Sequence, residues 1–372
     1  MLIGEMKSAG KDQTFYGIQA LRAIAASMVV LVHCIYLWHT RILHEPDPWY
    51  WTNGSAGVDI FFVISGFVMT ISLPSISQFK YRAQMFLWRR ITRIVPLYWL
   101  ATSLKVVLVL AIPAAALHPH VRWSNVFGSY FFIPTRNANG EIAPFVVQGW
   151  TLNYEMFFYL LFTCSLLARF SATRLVIPAL VILAVFGLTY PIDGPTIAVL
   201  ISPLLFEFLF GILIAQALMA KRMPGRWSSA LLAIAGWVAI LTVFPHLPKY
   251  PPDVQKWRFV FWGFPAAAIV LGTVALEPLL AAKLPKWVFI AGNASYAVYL
   301  AQTFVLPVVC FIVSRMPIGK VPALALILVM GMSLSLGAGD LIHRWIELPI
   351  LRWLKRVTVP GVSTLPGVEV GR

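Results

Sequence analysis

Charge is scarce in this sequence, and acidic charge scarcest. Asp, Glu, Lys and Arg make up 12% of 372 residues, with 14 acids against 29 bases. A soluble chain of this length carries about twice that charged fraction. Hydrophobic residues reach 59% and the mean hydropathy is +0.80. No separate soluble domain is expected: residues 1–356 read as one integral-membrane unit and 357–372 as a short disordered tail rich in Pro, Gly and Val. Cysteine is nearly absent. Cys34, Cys164 and Cys310 all fall in apolar runs, which excludes a disulfide framework and metal spacing and leaves small buried hydrophobes. There is no CxxC, HExxH or phosphate-binding glycine loop, so neither a metal site nor a nucleotide-hydrolysis site is expected. The first apolar run is too long for a signal-peptide core and lacks a small-residue cleavage site, so it should remain as a span.

What is present is a series of long apolar runs. Ten segments have the length of a bilayer crossing: about 17–39, 56–73, 94–113, 150–168, 175–190, 196–220, 227–244, 259–276, 287–313 and 321–343. The predicted fold class is therefore all-α, a polytopic membrane helical bundle of about ten helices with both termini cytoplasmic. With the N-terminus inside, twenty of the 29 Lys and Arg lie on inner segments and eight on outer ones. That is the expected inside excess. It accounts for the net charge of +15 through the lipid bilayer, with no nucleic acid.

The first run, GIQALRAIAASMVVLVHCIYLWH, carries Arg22 near its start and His33 near its end. Ionisable residues inside a span are costly and by default mark function. Eleven residues make close to three turns, so the two share a face about 16 Å apart along the axis. A long anionic cofactor could lie along that stripe. Counting depth from the span ends puts Asp59, in GVDIFFVISGF, and Glu155, in GWTLNYEMFFY, at a height similar to His33. A carboxylate beside an imidazole fixes its tautomer and raises its basicity, as a general base requires. Each residue also has a plainer reading. Asp59 could cap the second helix, Glu155 could snorkel to the interface, and His33 could be a satisfied core histidine.

Between the second and third runs, FKYRAQMFLWRRITRIVPLYW (79–99) reads as a basic amphipathic helix leading into the third span at Pro96. Arg89 and Arg93, four apart, share a face. With Arg90 they suit either bidentate phosphate binding or anchoring on anionic headgroups. The outer segment 114–149 holds VFGSYFFIP, too short to span, and a turn-rich loop that could be an acceptor lid or a connector. Ser65 and Gly66 read as helix-packing residues. Glu207 sits mid-span with no evident partner. Asn293, Ser295, Tyr296, Tyr299 and Gln302 form a polar stripe on the ninth span. Asp340, His343, Arg344 and Glu347 read as a self-contained ion-pair network.

Taken together, LRAIAASMVVLVH (21–33), GVDIFFVISGFVM (57–69), RRITRIVPLYW (89–99), WTLNYEMFFY (150–159), NASYAVYLAQ (293–302) and WIELP (345–349) resemble the integral-membrane acyltransferase-3 family, nearest to its exopolysaccharide-production branch. The resemblance implies a bacterial inner-membrane enzyme. It would move an acyl group, usually acetyl, from cytosolic acyl-CoA to a sugar hydroxyl of a polymer or lipid-linked oligosaccharide. It carries over Arg22 and His33 as the essential pair, Arg89, Arg90 and Arg93 as the cytoplasmic basic motif, and Glu155 as an acidic residue of the fourth span. Many relatives end the SYxxYLxH-like segment in histidine, where this chain has Gln302. On this reading acetyl-CoA docks on the three arginines and lies past Arg22. His33, oriented by Asp59 or Glu155, then acts as base or as acyl carrier. A proton-coupled transporter or flippase for a lipid-linked glycan is the rival reading, and a non-catalytic assembly subunit a third.

Overall fold

The structure, a computed structural model, describes residues 15–45, 51–77, 81–112, 121–168, 172–190, 194–243 and 256–356. The expected N-terminal cytoplasmic segment and the tail after Arg356 lie outside the described residues. Among the described residues the chain is helical, with one isolated bridge between Arg136 and Ile142 and no strand.

The helices are α1 (Tyr16–Leu37), α2 (Ala56–Ser77), α3 (Arg82–Ala111), α4 (Trp123–Tyr130), α5 (Trp150–Leu167), α6 (Ala172–Thr189), α7 (Pro195–Leu200), α8 (Leu205–Met219), α9 (Arg226–Val238), α10 (Phe264–Ala275), α11 (Glu277–Lys283), α12 (Lys286–Ser314), α13 (Lys320–Ile342) and α14 (Leu348–Arg356). Helix stands at each of the ten expected positions. By length and composition seven are fit to cross a membrane: Tyr16–Ile42, Asn53–Ile76, Arg82–Ala111, Pro195–Met219, Lys256–Ala275, Lys286–Ser314 and Lys320–Leu354. The other three positions hold α5, of 18 residues, and two shorter apolar helices, Thr173–Thr189 and Arg226–Thr242.

Two expectations change. The basic segment and the third span form one unbroken helix, α3, of 30 residues running through Pro96. At 1.5 Å per residue it is about 45 Å long, well beyond the hydrocarbon thickness of about 30 Å. Cys34 and Cys310 are buried as expected, but Cys164 is exposed on the outward side of α5.

Close helix approaches fix the register. The backbone carbonyl of Ala25 lies against Gly57 and that of Met28 against Gly54, so α1 and α2 run antiparallel with residue 25 level with 57. Gln19 meets Gly292, and Cys310 Sγ lies 3.7 Å from the Leu37 carbonyl, so α1 and α12 run parallel. Phe86 stacks on Phe162, while Tyr98 lies against Gly149, which sets α3 antiparallel to α5. The start of α1 is held from far along the chain. Glu277 accepts the Tyr16 and Gly17 amide N–H groups at 2.5 and 2.9 Å. These are donors a helix N-terminus leaves unpaired, and a carboxylate there also meets the positive end of the helix dipole.

A close contact joins α2 to α8. A Cβ at Gly66 would run into the Phe208 carbonyl oxygen, and one at Gly211 into that of Val63. Gly66 is thus a packing residue, as its place in the sequence suggested. Gly66→Val should destabilise the bundle by about 1–3 kcal/mol. Gly337→Ala, where nothing lies within 4 Å, should cost nothing. Thermal aggregation of the detergent-solubilised variants, followed by size exclusion, checks the order.

Candidate functional site

α1, α2, α3, α5 and α12 enclose a cavity of about 180 Å3. α1 gives it Gln19 and Arg22; α3 gives Arg90 and Arg93; α5 gives Thr151, Glu155 and Tyr159; α12 gives Ser295, Tyr296 and Tyr299. Ile18, Val68, Met69 and Ile94 supply part of its apolar wall. Residues from five of the six quoted motifs therefore meet at one place.

Arg90 reaches the cavity because it occupies the buried face of α3. Ala83, Phe86, Ile94, Leu97 and Ala101 are buried along that helix, and Arg90 falls in the same stripe with 8% of its surface exposed. Arg89 is exposed and does not line the cavity. The pair that lines the cavity is thus Arg90 with Arg93, three apart. Arg90 donates to Ser72 Oγ at 3.1 Å and stands over the Phe86 ring, while its Nε has no partner. Arg22 donates to Gln19 Oε1 at 3.3 Å.

Glu155 is the carboxylate of this cavity. It neither snorkels nor meets His33. Ser65 Oγ donates to its Oε1 at 3.1 Å and Tyr159 OH to its Oε2 at 2.8 Å. Among the described residues the cavity is lined by three arginines and one carboxylate. Tyr296 and Tyr299 close the other side, donating to the backbone carbonyls of Ile94 and Gln148, each at 2.8 Å. Tyr159 and the α12 tyrosines were not singled out as site residues from sequence. Their signal was spacing: Ser295, Tyr296 and Tyr299 share one helix face.

His33 stands apart from this cluster. It is half-buried and three turns beyond Arg22 on the same stripe. Its Nδ1 lies 2.7 Å from the Val29 carbonyl oxygen. A carbonyl only accepts, so Nδ1 carries the proton and Nε2 holds a free lone pair. The group that orients the imidazole is its own helix backbone, not a carboxylate.

Asp59 is committed elsewhere. Arg258 forks onto it through Nε and Nη2 at 3.0 and 2.7 Å, and the Asp59 side chain is fully buried. The guanidinium also stands over the Trp150 and Trp262 rings, at 5.6 and 4.7 Å from their centroids. The α1–α2 register explains why Asp59 misses His33. With residue 25 level with 57, Asp59 is level with residues near 23, roughly 15 Å below His33. Glu207 lies beside the same pair against Gly263, fully buried, with neither oxygen hydrogen-bonded. Gln302 is buried too, donating to the Tyr299 carbonyl while its Oε1 has no partner. On α13 and beyond, His343 pairs with Glu347 at 2.7 Å and Arg344 with Asp340 at 2.9 Å, the ion-pair network expected there.

A family model described as an acyltransferase domain matches residues 15–344, which hold the cavity, the His33 stripe and the Asp59–Arg258 pair. The chain belongs to the acyltransferase-3 family. The acyltransferase is 34% identical over 280 residues to the exopolysaccharide production protein ExoZ of Rhizobium meliloti (strain 1021), covering 71% of this chain and 80% of that protein. It is 24% identical over 322 residues to the peptidoglycan O-acetyltransferase OatA of Listeria monocytogenes, and 27% over 318 residues to the putative peptidoglycan O-acetyltransferase YrhL of Bacillus subtilis. Those matches take in 76% of this chain but only 48% and 47% of the two relatives, so it spans about half the length of either. No solved structure matches it.

Asp59→Asn should strand a buried guanidinium and destabilise the acyltransferase by about 3–5 kcal/mol. Adding Arg258→Met should return most of that loss. Melting temperatures of both single variants and the double variant in one detergent test the pairing; losses that simply add would mean the two residues act independently.

Proposed function

We propose that this acyltransferase moves an acyl group, in the simplest case acetyl, from cytosolic acyl-CoA to a sugar hydroxyl of an exopolysaccharide or related surface glycan in the bacterial inner membrane. On this reading the chain crosses the membrane about ten times with both termini inside, the arginine end of α3 at the cytosol and His33 toward the outer face. The observation that carries the reading is the convergence of Arg22, Arg90 and Arg93 on one lining carboxylate among the described residues, Glu155. Cations held in a low-dielectric bundle with less opposite charge than their own call for an anionic guest. The relatives named for exopolysaccharide production and O-acetylation supply its chemistry. Membership of an acyltransferase family weighs against the transport reading.

The residues present fit an acyl-CoA. Arg90 and Arg93, with Arg89 exposed just outside, would hold its phosphates; guanidinium forks suit them. Arg22 would continue that binding along α1 toward His33. When bound, the donor supplies an acyl carbon already activated as a thioester. Glu155, fixed by Ser65 and Tyr159, keeps the arginines in place. Asp59, through Arg258, braces the helices around the site and is a positioning residue. His33 Nε2 takes the proton of the attacking sugar hydroxyl while the new oxygen–carbon bond forms and the carbon–sulfur bond breaks. The same proton then passes to the departing thiolate, so charge and atoms balance. If Nε2 attacks first instead, CoA appears in a burst without acceptor.

Radiolabelled acetyl-CoA with protein in nanodiscs should label glycan with wild type and not with His33→Ala, while both bind the donor. Arg90→Gln and Arg93→Gln should each weaken donor binding about tenfold or more, the cost of a hydrogen bond to a charged group. Transfer retained by His33→Ala but abolished by Glu155→Gln would move the base to the carboxylate. No binding of acetyl-CoA by wild type would end the donor reading.

A further inference from the structure

A second, smaller cleft lies at the end of α3 remote from the arginines. Lys105, Arg122, Asn125, Asn137, Phe145 and Val147 are among its lining residues, and its volume is about 30 Å3. Its end of the bundle is also that of His33. α3 runs parallel to α12, since Tyr296 bonds to Ile94 and Tyr299, further along α12, reaches Gln148 beside the level of Tyr98; α12 in turn runs parallel to α1.

The cleft has positive charge without an internal answer to it. Lys105 Nζ donates to the Phe145 carbonyl at 2.5 Å and sits 5.2 Å from the centre of the Phe145 ring. Arg122 donates through Nε to Ser124 Oγ at 3.2 Å. Among the described residues neither cation has a carboxylate partner. Lys105 is half-buried, a position where a charge normally finds an opposite one. Asn125 spends its amide N–H groups on Thr135 Oγ1 and the Ala143 carbonyl, so its Oδ1 is what it offers the cleft. Two cations, an amide oxygen and an apolar wall of Phe145 and Val147 make a donor set for a sugar acid: charge for the carboxylate, an acceptor for a hydroxyl, a flat surface for the ring. At about 10–15 Å3 for each water-sized sphere, the space admits a group the size of a carboxylate.

The cleft also connects to the cavity by a short rigid path. Phe145 is tied to α4 through its N–H to Ser129 Oγ at 2.7 Å. Three residues on, the Gln148 carbonyl accepts the Tyr299 hydroxyl, and Thr151 and Glu155 follow as cavity-lining residues of α5.

From this we infer that the Lys105–Arg122 cleft is a subsite for an acidic sugar of the acceptor glycan, selecting acceptors that carry a carboxylate. The inference rests on the acceptor being a glycan, as proposed above. It is tested by calorimetric titration of the full chain in neutral-lipid nanodiscs with a glucuronic acid tetrasaccharide and with its carboxyl-reduced counterpart. Wild type should bind the acidic form at least tenfold more tightly. Arg122→Gln and Lys105→Met should each remove most of that preference, and Lys105→Arg should keep it. Acetyl-CoA binding in the same nanodiscs, unchanged in every variant, shows that the fold is intact. Equal affinity of wild type for the two oligosaccharides overturns the subsite, as does an undiminished preference in both charge-removing variants. Farnesyl diphosphate serves as the lipid-carrier probe; if the variants lose its binding and not that of the acidic tetrasaccharide, the carboxylate assignment falls. Failure of acetyl-CoA to bind wild type would defeat the donor reading alone, leaving the oligosaccharide comparison to decide this one.

Discussion

Arg22 comes to the central cavity from α1, Arg90 and Arg93 from α3, and the carboxylate that answers them, Glu155, from α5. In a bundle surrounded by hydrocarbon, an arginine cannot be left to solvent. Each must be compensated by protein or by a guest, and the protein supplies less than full compensation. Most of the remaining geometry follows from holding that imbalance open. Ser65 and Tyr159 tie both oxygens of Glu155, so it cannot swing to a single arginine and collapse the space. Tyr296 and Tyr299 use backbone carbonyls as partners and leave the arginines alone. Glu277, by capping α1, fixes the axial position of Arg22 from a point outside the cavity.

A second charged group is built on the opposite principle. Asp59 and Arg258 satisfy each other beside Trp150 and Trp262. Such a closed pair contributes little net stability but is costly to break, so it specifies arrangement more than strength. Glu207 beside it has no hydrogen-bond partner.

Much of this was legible in the sequence. Apolar run length placed the helices, the rule that intramembrane charge is functional singled out Arg22, His33, Asp59 and Glu155, and the basic run at the head of the third span singled out the α3 arginines. What failed was depth. Counting from span ends assumes that all spans start in one plane, which put Asp59 and Glu155 level with His33. The register of Gly54 and Gly57 against Met28 and Ala25 shows that α2 starts well below the top of α1. Partners failed for a related reason. Asp59 and Arg258 are 199 positions apart, and Gly17 and Glu277 are 260 apart. No local pattern encodes such pairings. The choice between Arg89 and Arg90 was readable, because Arg90 alone continues the buried stripe of Phe86 and Ile94. Four-residue spacing paired Arg93 with the exposed Arg89 instead.

The unbroken course of α3 has a mechanical meaning. Arg90 and Lys105 lie fifteen residues apart on one continuous helix, so about 22 Å of rigid rod separates them. On the assignments proposed here, that rod is a gauge: donor phosphates are held at one mark and the acceptor's charge at the other, and neither can move without the other. Inserting one residue between Ile94 and Lys105 would lengthen the gauge by only about 1.5 Å but turn Lys105 by roughly 100° around it. The enzyme should therefore tolerate changes in loop length far better than a change of one residue in the middle of this helix.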